Sequence, residues 1–498
     1  MDYNNEQPQN PTTDPIFDNK WNTNYYNEQT QSPRPRRRQK TKQEIFKEKY
    51  LPLIIGGTAL LMVLVLIGGA VGRSIEKNRR NKQMQAEASQ SQSEENTRLQ
   101  QEAYQLMSQA SAQAAEFDYD GAIATLDSFT GDIADFPQVA AKRDEYVLCK
   151  SQLVAWDDPS QILSLTFQML IADPQRAFHD DLFSYSFSRN FLTTAEFSTI
   201  LDKLYSNGYI LIRPEDYIET VQSENGTTYR AKTLYLPEGK KPLLLTQTNV
   251  NYHTYLTDGD GDKLPDKGGC GFATKLILDE NGNLTNEYID ANGQTHTGPY
   301  DMVPILNEFV AQHPDFSFRG AKAVIAVTGY DGLFGYRTNP EAKAVFGADG
   351  YNEQIEMAGQ IAEALRDDGY VLACYTYENE SYESFTATQI KADINGWVNE
   401  VVPILGDIDI FVFAQNGDIA KPNTPYSGEK YETLKDIGFG IFYGFTDDGD
   451  QWFMDSTDYI RHSRLTLSPN TIKHYSVWFE GIMNTDGILD PSRGEIPL

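Results

Sequence analysis

Cysteine and histidine are both scarce in this chain of 498 residues. Three cysteines (Cys149, Cys270, Cys374) allow one disulfide at most, so no disulfide framework holds the fold, and their spacings match no zinc motif. Among the six histidines (His179, His253, His296, His313, His462, His474) no two share metal-ligand spacing. Basic charge is in deficit: 42 Lys and Arg stand against 71 Asp and Glu, a formal charge of −29. That balance argues against nucleic acid as a partner of the body of the chain, because phosphate binding needs clustered cations. Long apolar runs are missing too, with one exception. What the chain does have is 40% hydrophobic and 12% aromatic residues, ample for a sizeable core and incompatible with wholesale disorder. The length exceeds one ordinary domain, so one large domain with appendages is expected.

The exception is residues 51–72, LPLIIGGTALLMVLVLIGGAVG, an uncharged stretch long enough to cross a hydrocarbon layer of roughly 30 Å as a helix. A cleaved signal peptide would begin nearer residue 1 with a shorter apolar core, so a retained single span is the better reading. Arg34, Arg36, Arg37, Arg38, Lys40, Lys42, Lys47 and Lys49 precede it, whereas Arg73, Lys77, Arg79, Arg80 and Lys82 follow. This bias puts the N-terminus inside, with the basic run held against anionic lipid. Residues 1–50 then form a cytoplasmic tail, rich in Asn, Gln, Pro and Tyr and expected to be disordered. The tail nets +2 and the span is neutral, so residues 73–498 carry −31. A small basic tail faces the cytoplasm, and a large acidic body is extracytoplasmic.

Residues 73–155 read as a helical stalk. Ala103, Leu106, Met107, Ala110, Ala114 and Phe117 recur at three- and four-residue intervals, an apolar stripe on one helix face. Asp118 to Asp120 can cap a second helix bearing Ala122, Ile123, Leu126 and Phe129. The string AEFDYDGAIATLDSF resembles one tetratricopeptide-type pair, and a lone pair builds no peptide groove. A spacer is the expected role.

Residues 156–498 alternate β-rich runs with helical stretches. The expected strands are LLLTQTN (243–249), AKAVIAVTG (321–329), YVLACYTY (370–377), DIDIFVFAQ (407–415) and FGIFYGF (439–445). Helices are expected through EQIEMAGQIAEALRDDG and IKADINGWVNEVVPIL. Such alternation implies parallel strands with covering helices, in a barrel or a doubly wound sheet.

Several of these runs resemble polysaccharide deacetylases of the NodB-homology type, in a membrane-anchored bacterial subgroup. LTTAEFSTILDKLYSNGYILIRPEDY is similar to the lead-in segment, and KPLLLTQTNVNY falls on the first catalytic strand. YDMVPILNEFVAQHPDFSFRGAKAVIAVTGYDGLFGYRT resembles a stretch of the subgroup. ALRDDGYVLACYTY and GDIDIFVFAQNGDI match the next two strands, while YIRHSRLTLS and LDPSRGEIP fit the closing segment. The resemblance implies an α/β distorted (β/α) barrel with its site at the strand C-termini. It also implies removal of acetyl groups from N-acetylated sugars. One Asp and two His would hold the metal, a second Asp would be the base and a late His the acid.

The same resemblance places neutral residues where that chemistry needs ionisable ones. The consecutive aspartates of the first strand are answered by Thr248 and Asn249, and the paired histidines by Tyr375 and Asn379, although Thr376 fits. The Pro-aromatic pair before Gly417 reads Gln415 and Asn416, an early His reads Gln168, and the closing Asp-Gly reads Ser468 and Pro469. Neutral oxygen donors are unsuited to Zn²⁺, so zinc is not expected. The Asp-Asp-Gly of FTDDGD lies too late in the chain and is expected to be a tight hairpin turn. His253 and His462 are the histidines placed to substitute.

Within TDGDGDKLPDKGGC, Asp258, Asp260, Asp262, the Leu264 carbonyl and Asp266 fall at positions 1, 3, 5, 7 and 9 of an oxygen-ligand loop. Lys263 replaces the usual Gly, and no Glu stands at position 12. A calcium loop and a solvated acidic turn both remain open. Three functional readings follow: a catalytically inactive barrel holding cell-wall glycan or scaffolding the envelope, an active deacetylase with rearranged ligands, and a structural envelope protein whose partner binds the stalk or tail. The glycan contacts expected for the first are Tyr252, Tyr375, Tyr377, Gln415 and Asn416, with Tyr255 and Trp397 as further aromatics.

Overall fold

A computed structural model describes residues 51–179, 183–224, 226–258, 262–446 and 448–496. The N-terminal tail, Asp260 and Asp447 therefore lie outside the described residues. The chain divides into two units, Met1–Ser93 and Glu94–Leu498. Helix α1 (Leu51–Ala115) begins in the first. Its part from Gly57 is the one helix among the described residues long and apolar enough to cross a membrane.

In the second unit the end of α1 packs with α2 (Tyr119–Asp127) and α3 (Pro137–Ser151). Ala103 and Ala110 of the expected stripe are buried against Ala122, Leu126, Val139 and Tyr146, with Leu106, Met107 and Ala114 beside them. Asp118 caps α2 by accepting from the Gly121 amide. This small core is tied to the sheet. Arg319 donates from its backbone to the Glu116 carbonyl at 2.7 Å and from its guanidinium to Asp120 at 2.8 Å.

Seventeen strands occur among the described residues. Three small sheets flank the main one: β1 (Val154–Trp156) with β6 (Leu234–Leu236), the hairpin β4 (Ile218–Ser223)–β5 (Gly226–Ala231), and β8 (Lys275–Leu278), β9 (Leu284–Ile289), β10 (Thr295–Gly298). The main sheet holds β2 (Leu163–Phe167), β3 (Tyr209–Leu211), β7 (Lys241–Thr248), β11 (Val324–Val327) and β12 (Val371–Cys374). Its remaining strands are β13 (Ile410–Val412), β14 (Ile441–Tyr443), β15 (Phe453–Ser456), β16 (Tyr459–His462) and β17 (Leu465–Thr466). The order is β15-β16-β14-β13-β12-β11-β7-β2-β17, with β3 also on β7. All pairings are parallel except β15 with β16.

All five strands expected from the sequence fall inside this sheet. Strand β7 is buried on both faces from Pro242 to Thr248, which is why it reads as a nearly unbroken apolar run. Each fully buried leucine there (Leu243, Leu244, Leu245) contributes about 1.5–3 kcal/mol of transfer free energy.

The architecture is a mixed α/β domain with a curled, half-barrel sheet rather than a closed ring of hydrogen bonds. One segment, Tyr459–Thr466, serves both ends: β16 pairs with β14 and β17 with β2. Between them the Ser463 and Arg464 amides donate to Trp452 and Gly444, so the ladder breaks at this bend. The FTDDGD turn also differs from expectation. It links β14 to β15, but β14 pairs with β16, so no hairpin forms. Thr446 and Gly449 are held to one another and to Asp448 in a side-chain-stabilised turn.

Two buried ion pairs fix the periphery. Glu196 completes the capping box of helix Thr194–Ser206 and meets Arg493 at 2.5 Å, both almost wholly buried. Arg461 of β16 meets Asp418 at 2.9 Å and stacks on Tyr426. Removing one partner of such a pair strands the other charge, so Arg493→Ala is expected to cost about 3–5 kcal/mol in urea unfolding. His462 gives a pH signature. Burial lowers its pKa from 6.5 to about 4, so between those values the unfolded chain takes up a proton that the folded chain does not. Stability therefore falls as pH drops from 6.5 towards 4, by about 3 kcal/mol in total. Denaturation midpoints across that range should show this slope, and His462→Phe should flatten it.

Candidate functional site

The C-terminal ends of β7, β11, β12 and β13 lie side by side, and the positions singled out by the resemblance sit on them. Thr248 ends β7, its hydroxyl donating to the Phe167 carbonyl at 3.1 Å. Asn249 follows with φ 65° and its Oδ1 lies 2.6 Å from His253 Nε2. After β12 come Tyr375, Thr376 at φ 58° and Asn379 at φ 57°, and after β13 come Gln415 at φ 51° and Asn416 at φ 58°. Left-handed backbone is uncommon outside glycine, and for a β-branched threonine it is a true outlier. Five such residues therefore crowd the ends of three strands.

Tyr375, Thr376, Asn379 and Gln415 are each engaged through a side chain or the backbone. The Gln415 amide donates to the Tyr375 hydroxyl at 3.3 Å, and Gln415 Nε2 donates to the Asn379 carbonyl at 2.6 Å. Thr376 Oγ1 accepts from the Glu380 amide at 3.1 Å. The loop is fastened by buried Asp393, which accepts from the Tyr377 and Glu378 amides at 2.8 and 3.0 Å and from the Tyr382 hydroxyl at 2.5 Å. Tyr375, Asn379 and Gln415 are thus brought together, while Thr248 bonds to the end of β2 and Asn249 belongs to a separate cluster across β11.

That second cluster centres on His253, which is fully buried between the parallel rings of Tyr330 and Tyr255. Asp331 lies 3.4 Å from its Nδ1 and accepts from the Thr254 amide and hydroxyl at 2.6 and 2.8 Å. Burial lowers the His253 pKa, against the opposing pull of Asp331. Burial alone would raise Asp331, but His253, Arg337 and the Thr254 amide outweigh it and hold the carboxyl at about 2. Arg337 bridges the Asp331 and Tyr252 carbonyls at 2.9 and 2.7 Å. Gly332 must be glycine here: at φ 87° an added Cβ would stand 2.0 Å from the Tyr336 carbonyl.

The aromatic candidates divide by burial. Tyr252 is 1% exposed and donates to Asp301 Oδ2 at 2.8 Å, so it offers no face to a ligand. Trp397 is core in the same way. Tyr377 is half-buried with its hydroxyl on Glu400. Tyr375 is half-buried, whereas Gln415 and Asn416 are exposed. Asp301 also accepts from Gln247, Leu170 and Met302 at 2.6, 3.0 and 2.8 Å. Burial pushes its pKa up and these donors oppose it. Neither Asp301 nor Arg337 stood out from the sequence. The available signal was an Asp directly before a helix for the first, and none for the second.

The donor set does not fit a catalytic cation. Asn249, Tyr375 and Asn379 are neutral, and His253 has one nitrogen on Asn249 and the other facing Asp331. No group of three His, Cys, Asp or Glu able to hold a metal occurs among the described residues. His462 lies elsewhere, its Nδ1 3.0 Å from the Tyr217 hydroxyl. In the acidic loop, Asp258, Asp262 and Asp266 accept from the Lys263, Leu264 and Gly268 amides at 2.8, 2.8 and 2.5 Å. Leu264 is exposed.

No protein-family model matches the sequence, and no curated protein does. Among solved structures, the Streptococcus pyogenes deacetylase PplD in complex with acetate superposes on 64% of this chain and 95% of its own. The identity is 13% and the TM-score 0.29, too loose a superposition to place side chains.

Because Tyr252 belongs to the framework, Tyr252→Phe is expected to lower stability by about 1–3 kcal/mol, through a buried carboxylate left short of a donor. The loss would be read from urea denaturation, with ligand binding at the strand ends unchanged.

Proposed function

We propose that this chain is a membrane-anchored, polysaccharide deacetylase-like module that holds cell-envelope glycan without hydrolysing it. The resemblance supplies the barrel-type fold and the substrate class, and the basic flank of residues 51–72 supplies the orientation, with the acidic body outside. One observation carries the absence of chemistry: the strand-end positions that should bear two carboxylates and two imidazoles carry Thr248, Asn249, Tyr375 and Asn379. No negative charge there would hold a divalent ion, and nothing there would lower the pKa of a bound water. A buried cation supports the same reading. Arg464 lies fully buried near the strand ends and donates to Gly444, Phe413 and Thr166 at 2.9, 2.8 and 3.2 Å, all neutral acceptors. Burial lowers its pKa only to about 10, so it stays charged and disfavours a second cation nearby. The exposed side-chain amide of Asn416 and the side-chain oxygen of Gln415, whose nitrogen is on the Asn379 carbonyl, remain for hydroxyl recognition.

A second reading, an active deacetylase with rearranged ligands, draws on the Asp331–His253 pair, which has the composition of an acid–base dyad. Its burial weighs against it. The purified full chain in detergent, given N-acetylglucosamine oligomers, should bind them on a glycan array, release no acetate and carry no stoichiometric zinc. Acetate release with one zinc per chain would establish the enzyme instead.

A further inference from the structure

A groove of about 930 Å³ runs between the end of α1, the turn joining β8 to β9, and the helices Met302–Gln312 and Lys343–Asp367. Lys322 and Asp368 in its lining lead into β11 and β12, so it lies at the opposite ends of those strands from the positions described above. Three properties decide what it takes. First, its floor is small and apolar. Ala112 and Ala115 of α1 and Ala311 of the second helix are exposed, and Leu284, Pro304 and Val310 are buried in the same lining. Second, its walls are fixed. Arg319 holds the end of α1 through the Glu116 carbonyl and Asp120, and buried Lys322 donates to Asn307 Oδ1 and Asp368 Oδ1 at 2.8 and 2.9 Å. Third, its rim is acidic. Glu116, Asp279, Glu308, Asp367 and Asp368 stand against one ammonium, Lys322.

Each property narrows the occupant. The volume is at the upper end for small-ligand sites, and an apolar floor between rigid helices is the setting in which a partner helix lays down its apolar face. Methyl groups on that floor leave width for side chains the size of leucine. The rim sets the sign of charge. Lys322 is already committed to Asp368 and Asn307, while the carboxylates of Glu116, Glu308 and Asp367 make no hydrogen bond or ion pair among the described residues. Burial raises the Glu116 pKa, and Asp118 and Asp368 add to the rise against the pull of Lys322, so an arriving cation relieves a repulsion already present. A second copy offers no match, because residues 73–498 carry −31. The chain's own basic run, Arg34 to Lys49, precedes the span, on the other face of the membrane in the proposed orientation.

We propose that this groove docks a basic amphipathic helix of a partner protein. The apolar face of that helix lies on Ala112, Ala115 and Ala311, and the Lys or Arg residues flanking it meet Glu116, Glu308 and Asp367. Such docking is independent of what the strand ends bind.

The test uses the full chain in non-ionic detergent, with empty micelles as the blank and fluorescence anisotropy as the readout. The probe is a labelled helical peptide of Lys, Leu and Ala with its leucines on one face, compared with a peptide of the same composition reordered to scatter them. The amphipathic peptide should bind about tenfold more tightly than the reordered one, and more weakly as salt is raised. Glu308→Lys with Asp367→Lys should weaken it about tenfold. Ala311→Trp, which fills the floor, should do so by about tenfold or more, and Ala112→Trp fills it from α1 should the first variant disturb its own helix. Glu353→Lys with Glu480→Lys makes the same change of net charge at exposed positions outside the groove and should alter binding by less than about twofold. No binding, equal binding of the two peptides, or an equal loss in the control pair would overturn the assignment, the last two by revealing general attraction to an acidic body. A dimer in light scattering that Ala311→Trp abolishes would give the groove to a second copy and overturn it as well.

Discussion

The sheet depends on one bent segment. Tyr459–Thr466 pairs with β14 before its bend and with β2 after it, so eight residues hold the two ends of a parallel sheet in register. At the bend the carbonyls that follow β13 and β14 no longer meet a ladder partner from β16 or β17, and the Arg464 amide reaches only Gly444. Arg464 answers them, donating to Phe413, Gly444 and Thr166 at once. A buried guanidinium with only neutral acceptors is costly unless its donors are used, and here its fork reaches three strands. Lysine, with one nitrogen, could not span them. The curl that brings the strand ends together is thus held by a charge that also occupies the region they enclose.

That arrangement separates shape from chemistry. Thr376, Asn379, Gln415 and Asn416 take left-handed backbone at the ends of β12 and β13, a cost of order 1 kcal/mol or more for a threonine. Such strain persists when the surroundings over-determine it. Asp393 does this for the loop after β12, since it accepts two consecutive amides and the Tyr382 hydroxyl. None of these contacts uses the side chain of Tyr375 or Asn379. Asp393 thus fixes the loop without help from the side chain of Tyr375 or Asn379.

Much of the architecture was legible because parallel strands buried on both faces leave long apolar runs. All five expected strands lie in the sheet, and the helical stripe from Ala103 to Ala114 faces the small core. The closing geometry was less legible. Nothing local in YIRHSRLTLS says that its halves pair with different strands, and the turn at Thr446 has hairpin chemistry although β16 intervenes between the strands it joins. The strand-end positions could be counted from the sequence, but not their partners. Tyrosine illustrates why: Tyr252 is core, Tyr377 half-buried and Tyr330 partly open, although the ring chemistry is the same. Arg337 was invisible for the opposite reason, since an arginine in a Gly-rich turn reads as solvent-facing. Only the tertiary placement of Asp331 and of the Tyr252 carbonyl makes its burial tolerable.

The two clusters at the strand ends differ in what they can do because they differ in saturation. Around Tyr375 the polar groups bond to one another or face water, so a ligand there must displace hydration and gains only the difference. Beside His253, protein contacts have already excluded water from Arg337 Nε and Asn339 Oδ1. The desolvation of those atoms is a cost the folded state already carries. Rigid rings add to the stiffness of this cluster, since Tyr255 and Tyr330 are held in place by stacking on His253. The cluster at β7 and β11 is therefore the stiffer and more enclosed of the two, and the one after β12 and β13 the more open to solvent.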